Sequence, residues 1–201
     1  MTQLSGRFRQ ALVYADELHE TQRRKGSGAP YIAHLLGVAA IVLEHGASED
    51  EAIAALLHDA VEDQGGPSTL AAIRLRFGPR VAEIVAGCTD ADTVPKPPWQ
   101  ERKEAYLAHL AAADEGVCLV CAADKLYNLR TIVADYRAIG EEIWPRFTAG
   151  KSGTLWYYRE VTRVLRQAWP DALVEELART LAELEQLVAD AAVKPLPKKD
   201  A

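Results

Sequence analysis

Apolar residues recur along this chain at the three- and four-residue spacing of helices that bury one face, and no stretch of any length alternates with the two-residue period of a strand. The pattern predicts a first helix over about residues 5–22, with Phe8, Leu12, Ala15 and Leu18 facing inward, and a second over 31–45 that stops at Gly46. A third, over 48–63, opens on Ser48 and Glu51, a capping-box pair. Gly65, Gly66 and Pro67 then break the chain. Further helices are expected over 68–77, over 79–89 with Pro79 in the first turn, and, past a proline-rich loop at 90–98, over 99–113, 117–138, 152–169 and 170–193. The last carries a leucine stripe at Leu173, Leu177, Leu181, Leu184 and Leu187. The expectation is an all-α, single-domain helical bundle of about eight to nine helices spanning residues 1–193, followed by a flexible C-terminal tail over 194–201.

Composition narrows the class. A chain of 201 residues fits one sizeable domain, and 49% hydrophobic with 26% charged residues is the balance of a soluble globular protein. The net charge of -6 argues against a nucleic-acid partner, although a local basic cluster can still meet a small anion. No apolar run approaches the roughly 20 residues that span a bilayer, and the first ten residues lack the apolar block of a signal peptide. Three cysteines are an odd number for a disulfide framework. Together these point to the cytoplasm and to no membrane partner, and they leave the oligomeric state open.

The candidate chemistry lies in three places. His58 and Asp59 follow the buried-looking run Ala52–Leu57, and Glu62 and Asp63 stack one turn further on. Three carboxylates within five residues repel one another unless a cation relieves them; otherwise this is simply a helix whose polar end meets water. His34 sits among apolar neighbours, as a metal ligand or as a satisfied core histidine. Asp124 follows small and apolar residues in mid-helix and needs a partner if buried; Lys125 or Arg130 could serve instead of a metal. Two imidazoles and two carboxylates form a mixed set suited to manganese, iron, zinc or a similar divalent ion. The basic segment Gln22–Lys25 reads equally as a phosphate clamp or as a solvated helix end. Gly150-Lys151-Ser152 lacks the first glycine of a P-loop, and Cys118 with Cys121 has no second pair, so both read as structural.

Segments 19–25 (HETQRRK), 30–34 (PYIAH), 55–63 (ALLHDAVED), 77–78 (FG) and 123–130 (ADKLYNLR), with the loop 88–96 (CTDADTVPK), occur in the order and spacing of a known family. Over about residues 8–168 the chain resembles the HD-domain hydrolases of the RelA/SpoT-homologue group, specifically the stand-alone small alarmone hydrolases of metazoan SpoT-homologue type. The resemblance implies a metal, usually manganese, on His34, His58, Asp59 and Asp124. It implies that Glu62 and Asp63 position or activate the attacking water. It places Arg24, Lys25 and Asn128 against a small-molecule nucleotide, with Lys96 and Lys151 as further phosphate contacts. The implied reaction removes the 3′-pyrophosphate of guanosine tetra- or pentaphosphate, giving GDP or GTP and pyrophosphate. The alternatives are hydrolysis of adenosine alarmones, removal of the 2′-phosphate of NADPH, or a non-catalytic nucleotide-binding regulator. Leu35 stands where the family usually has proline, and Cys121 where a lysine often stands. Tyr127 matches the small hydrolases rather than the long bifunctional enzymes.

Overall fold

The computed structural model describes residues 2–90, 95 and 97–193, and over these the chain is all-α. Its α-helices are α1 (Gly6–Leu18), α2 (Ile32–Glu44), α3 (Glu49–Leu57), α4 (Ala60–Asp63), α5 (Gly66–Phe77), α6 (Pro79–Cys88), α7 (Trp99–Leu110), α8 (Glu115–Ile139), α9 (Gly150–Ala168) and α10 (Ala172–Val193). A 3₁₀ helix, Gly140–Arg146, joins α8 to α9. The predicted tail and Lys96 lie outside the described residues.

Ser48 with Glu51 and Pro79 stand at helix starts as expected, whereas α5 begins at Gly66, inside the expected break, and α8 at Glu115 rather than 117. Ser48 accepts from the Glu51 amide while Glu51 reaches back to the Ser48 amide, closing the capping box of α3. Pro67 and Pro79 sit in the first turns of α5 and α6, where the missing N–H is not needed. Asp114 caps α8 by accepting from the Val117 amide.

Three further departures have local causes. The first helix stops at Leu18 rather than Gln22, because Gly26 and Gly28 adopt positive φ and fold the chain back on itself. The Arg24 amide then bonds Ala29 and the Tyr31 amide bonds Gln22, so the basic segment lies in a tight loop. The helix expected over 48–63 is divided at His58 and Asp59, which makes ten α-helices of the nine segments predicted. Residues 140–146 form the 3₁₀ helix, where Ile143 and Trp144 are buried although Pro145 interrupts the apolar pattern.

The core is one hydrophobic cluster with α3 and α8 at its centre. Residues Ala52–Leu57 of α3 are buried on every side, as befits a helix with almost no polar face. α8 packs against α2, α3, α6 and α10, and α10 covers it with buried Leu173, Leu177, Leu181 and Leu184. α2 approaches α8 closely because Gly37 faces the Tyr127 ring: a Cβ there would lie 2.0 Å from Tyr127 Cε2. That approach sets the α2 histidine, His34, beside the α8 carboxylate, Asp124.

Candidate functional site

The break between α3 and α4 puts His58 and Asp59 at the end of the most buried helix of the molecule. The Ala55 carbonyl accepts a 2.8 Å hydrogen bond from His58 Nδ1, which directs Nε2 toward the neighbouring helices. There it meets His34 from α2 and Asp124 from α8. His58 Nε2 lies 3.3 Å from His34 Nε2, 3.0 Å from Asp59 Oδ2 and 3.6 Å from Asp124 Oδ1. His34 Nε2 lies 3.4 Å from Asp59 Oδ2 and 3.3 Å from Asp124 Oδ1.

These atoms suit a divalent cation. His34, His58 and Asp59 each offer a ligand atom within 4.8 Å of the others, and Asp124 reaches both imidazoles from a third helix. Separations of 3.0–3.6 Å between donors are those found around an ion with bonds of roughly 2.0–2.2 Å. The charge balance agrees. Burial pushes the Asp124 carboxyl up, but Lys125 and the imidazoles outweigh it and hold it well below the usual carboxylate range. Burial likewise opposes ionisation of Asp59, and His58 and His34 prevail. Burial also works against charge on His58, yet Asp59 and Asp124 raise it well above the ordinary imidazole value. The cluster therefore favours positive charge at its centre, which a metal supplies in place of a proton.

Surrounding side chains hold the four in place. The Tyr31 phenol donates to Asp59 Oδ2 at 2.6 Å. Asn128 donates to Asp124 Oδ1 at 2.5 Å, and Lys125 to Asp124 Oδ2 at 2.5 Å. Arg24 donates to Asn128 Oδ1 at 2.6 Å, with its guanidinium 5.8 Å from the ring centroids of both Tyr31 and Tyr127. His34 Nδ1 is buried and has no hydrogen-bond partner among the described residues.

A cleft of about 490 Å³ opens beside this cluster. Its wall carries seven cationic side chains, Arg23, Arg24, Lys25, Arg102, Lys103, Lys125 and Arg146, against three carboxylates, Glu62, Asp63 and Asp135. In a chain of net charge -6 that excess is local, and it marks a site for a polyanion. Trp99, Phe147, Tyr157 and Tyr158 add aromatic surface to the same wall. Glu62 lines both this cleft and a small cavity that touches His58, Asp59 and Asp124, whereas Asp63 lines the cleft. Glu62 also has Arg102 at 3.6 Å.

The sequence candidates thus come together: His34, His58, Asp59 and Asp124 in the cluster, Glu62 and Asp63 at its mouth, and Arg24, Lys25 and Asn128 along the cleft. Lys151 does not join them; it bonds Glu141 at 2.8 Å and 3.0 Å. Arg130, offered as a partner for Asp124, pairs instead with Glu176. Sequence reasoning missed Arg102, Lys103, Arg146 and the aromatic wall. The one available signal was Trp99 with Arg102-Lys103 just after the proline-rich loop. Those two cations are held by buried Asp90, which burial pushes up and Lys103 and Arg102 pull further down.

Known proteins resemble this chain in sequence and fold. The HD domain pattern matches residues 11–155. A frog relative (Xenopus tropicalis), guanosine-3′,5′-bis(diphosphate) 3′-pyrophosphohydrolase MESH1, is 44% identical over 126 residues, covering 61% of this chain and 68% of that one. The bifunctional (p)ppGpp synthase/hydrolase SpoT of Escherichia coli is 37% identical over 132 residues, which are 63% of this chain but 18% of that much longer protein. Among solved structures, one described as "A metazoan ortholog of SpoT hydrolyzes ppGpp and plays a role in starvation responses" superposes with a TM-score of 0.72 at 28% identity, covering 96% of this chain and 100% of that one. No described helix is long and apolar enough to cross a membrane. With its all-α bundle, its paired histidines and carboxylates and these matches, the chain belongs to the HD-domain family, in its RelA/SpoT-homologue branch.

Proposed function

We propose that this protein is a metal-dependent hydrolase that removes the 3′-pyrophosphate of guanosine tetra- or pentaphosphate, giving GDP or GTP and pyrophosphate. The observation that carries the proposal is the placement of a strongly basic cleft directly against the two-histidine, two-carboxylate cluster. A polyphosphate needs both: cations along its length and a hard Lewis acid at the bond to be cut. The similarity to MESH1, named for this activity, supports the choice of substrate.

His34, His58, Asp59 and Asp124 would hold the metal, with manganese the expected ion. A bound divalent ion lowers the pKa of water and offsets charge on phosphorus. Glu62, which borders both the small cavity and the cleft, takes the proton of the attacking water. Asp63 orients that water from the cleft side. Water attacks the phosphorus bonded to the 3′ oxygen, the bond between them breaks, the departing 3′ oxygen takes up a proton to become the hydroxyl of GDP or GTP, and pyrophosphate is released with the water oxygen while Glu62 returns its proton to solvent. Arg24 and Lys25 hold the phosphates, and Asn128 ties Arg24 to Asp124 so that the phosphate clamp and the metal ligand keep one register. The aromatic wall supplies the stacking surface that a purine base requires.

The test is to incubate the protein with guanosine tetraphosphate, its adenosine analogue and NADPH, with manganese or with chelator, measuring pyrophosphate and phosphate separately. Manganese-dependent pyrophosphate from guanosine tetraphosphate is the expected result. Phosphate from NADPH alone would overturn the substrate, and no metal-dependent release from any of the three would overturn the enzyme.

A further inference from the structure

We propose that Gln22 is the positioning residue for Asp63, with the orientation of its amide imposed by His19 and Gln64. The inference rests on the reading of Asp63 as part of the hydrolytic site. Gln22 Oε1 accepts from Gln64 Nε2 at 2.6 Å and faces His19 Nδ1 at 2.6 Å, which donates to it in the tautomer with the proton on Nδ1. A carbonyl oxygen has two lone pairs, so these two bonds saturate it. The amide nitrogen is then the group that faces Asp63, and it donates to Oδ2 at 2.8 Å. Turning the amide over would set its NH₂ against the NH₂ of Gln64 and its oxygen against a carboxylate. Two repulsions would replace two bonds, so one orientation stands.

His19 is built to impose this. It is 2% exposed and lies stacked on Tyr31, with ring centroids 5.0 Å apart and planes at 16°. Burial holds its pKa below the ordinary value, so the ring is neutral and has a single N–H to give. Its Nε2 is buried without a partner among the described residues, so the Nδ1 contact to Gln22 is the one polar bond the ring makes. A neutral histidine that leaves one nitrogen unsatisfied retains the other for a purpose. The purpose follows from the cleft. Asp63 shares its wall with Arg23, Arg24 and Lys25. An untethered carboxylate there would swing onto one of those cations, neutralising the phosphate clamp and leaving the water unaimed. Gln22 holds one carboxylate oxygen and prevents both.

The experiment is a double-mutant cycle on the manganese-loaded protein with guanosine tetraphosphate, using Gln22→Leu, Asp63→Asn and their combination. Turnover of Gln22→Leu is expected to fall about 10- to 100-fold, the order that a misplacement of roughly 1 Å costs, with manganese affinity unchanged. The double variant is expected to be no slower than Asp63→Asn alone, because the amide acts only through that carboxylate. Turnover within threefold of wild type, or losses that multiply, would overturn the proposal. Wild-type turnover by Asp63→Asn would overturn the catalytic reading of Asp63 itself, a separate failure. Should Gln22→Leu not fold, Gln22→Glu carries the same cycle, since it sets a second carboxylate against Asp63.

Different side chains carry a second inference. We infer that Cys88 and Cys121 close a reversible disulfide that switches the cavity beside the metal cluster. Their sulfurs lie 3.6 Å apart, Cys88 half-buried at the end of α6 and Cys121 on α8, one turn before Asp124. Both line the small cavity that touches His58, Asp59 and Asp124. Tyr106 places its hydroxyl 2.7 Å from the Cys121 sulfur, and Lys125 lines the same cavity, an environment that favours a thiolate. Cys118 takes no part: it does not line the cavity, and its sulfur faces the Ala113 carbonyl at 3.9 Å. With hydrogen peroxide as oxidant, the Cys121 thiolate attacks one peroxide oxygen, the O–O bond breaks, and hydroxide leaves to become water. Cys88 then attacks the resulting sulfenic sulfur. The S–S bond forms, the S–O bond breaks, and the departing hydroxide takes the Cys88 proton. Two thiols lose two electrons, and one peroxide becomes two waters. Closing the bond draws the end of α6 toward α8 and shifts the turn that carries Asp124.

Peroxide-treated protein is expected to yield a Cys88–Cys121 cross-linked peptide in non-reducing mass spectrometry. Pyrophosphate release should fall at least tenfold and return with dithiothreitol, while Cys88→Ser keeps its own untreated rate under peroxide. No cross-link, or a cross-link without loss of rate, would overturn the switch.

Discussion

The Tyr31 phenol donates a 2.6 Å hydrogen bond to Asp59 Oδ2 from a ring stacked on buried His19. Burial and the Asp59 charge raise the phenol well above its ordinary pKa, so it is a donor throughout the working pH range. Tyr31→Phe keeps the stacked ring and removes the donor. Manganese affinity, read by titration calorimetry, is expected to fall about 10- to 100-fold, with little change in melting temperature. Unchanged affinity would mean that Asp59 is oriented without the phenol.

Asp124→Ala is expected to empty the metal site and to destabilise the fold together. The substitution leaves the Lys125 ammonium, 2.5 Å from the lost carboxylate, without its counter-charge. Breaking such a buried pair costs about 3–5 kcal/mol, readable by urea denaturation. Metal content after dialysis against manganese checks the other half: a full equivalent retained would remove Asp124 from the ligand set.

Gly37→Ala tests how closely α2 and α8 must approach. The added methyl would lie 2.0 Å from Tyr127 Cε2, and overpacking of that kind costs about 1–3 kcal/mol. Combining it with Tyr127→Ala, which removes the opposing ring, is expected to return part of the loss. A Gly37→Ala protein as stable as wild type would show that the helices move apart freely.

The α8 cap gives a pH signature. The Arg80 guanidinium, bonded to Asp114, holds that carboxyl below its ordinary value. A lowered folded-state pKa stabilises the fold above the unfolded value of about 3.9, and the contribution disappears as pH falls through the folded value. With the two side chains 42% and 51% exposed, the contribution is at most about 1 kcal/mol and is screened by salt. The stability difference between wild type and Asp114→Asn should be constant near neutrality and vanish in acid; a difference that grows on acidification would contradict this.

Legibility varied with how local the cause was. The capping box at Ser48 and the leucine stripe of α10 are short-range patterns, and the structure keeps them. The division at His58 and Asp59 was hidden because the residues on either side continue the helical spacing. The short α1 was hidden because the fold-back at Gly26 and Gly28 that ends it, and that brings Tyr31 onto His19, lies beyond the helical spacing of residues 5–22. The sequence offered His34, His58, Asp59 and Asp124 as one set, and the structure brings them together, with Glu62 on the adjoining cavity and Asp63 on the cleft. Arg102, Lys103 and Arg146 were not legible, because only the packing of α7 and the 3₁₀ helix brings them to the cleft that Arg24 and Lys25 begin.

That cleft places a cationic interior within a chain of net charge -6. Such a field speeds the diffusional encounter with a polyanion and weakens as ionic strength rises. It also retards whatever leaves, and both products of the proposed reaction are anions. Salt should therefore act with opposite sign on the two ends of the cycle, slowing capture and hastening departure. Turnover at saturating substrate would rise with moderate salt while kcat/KM falls, so that the ionic strength of its surroundings sets the working rate of this protein.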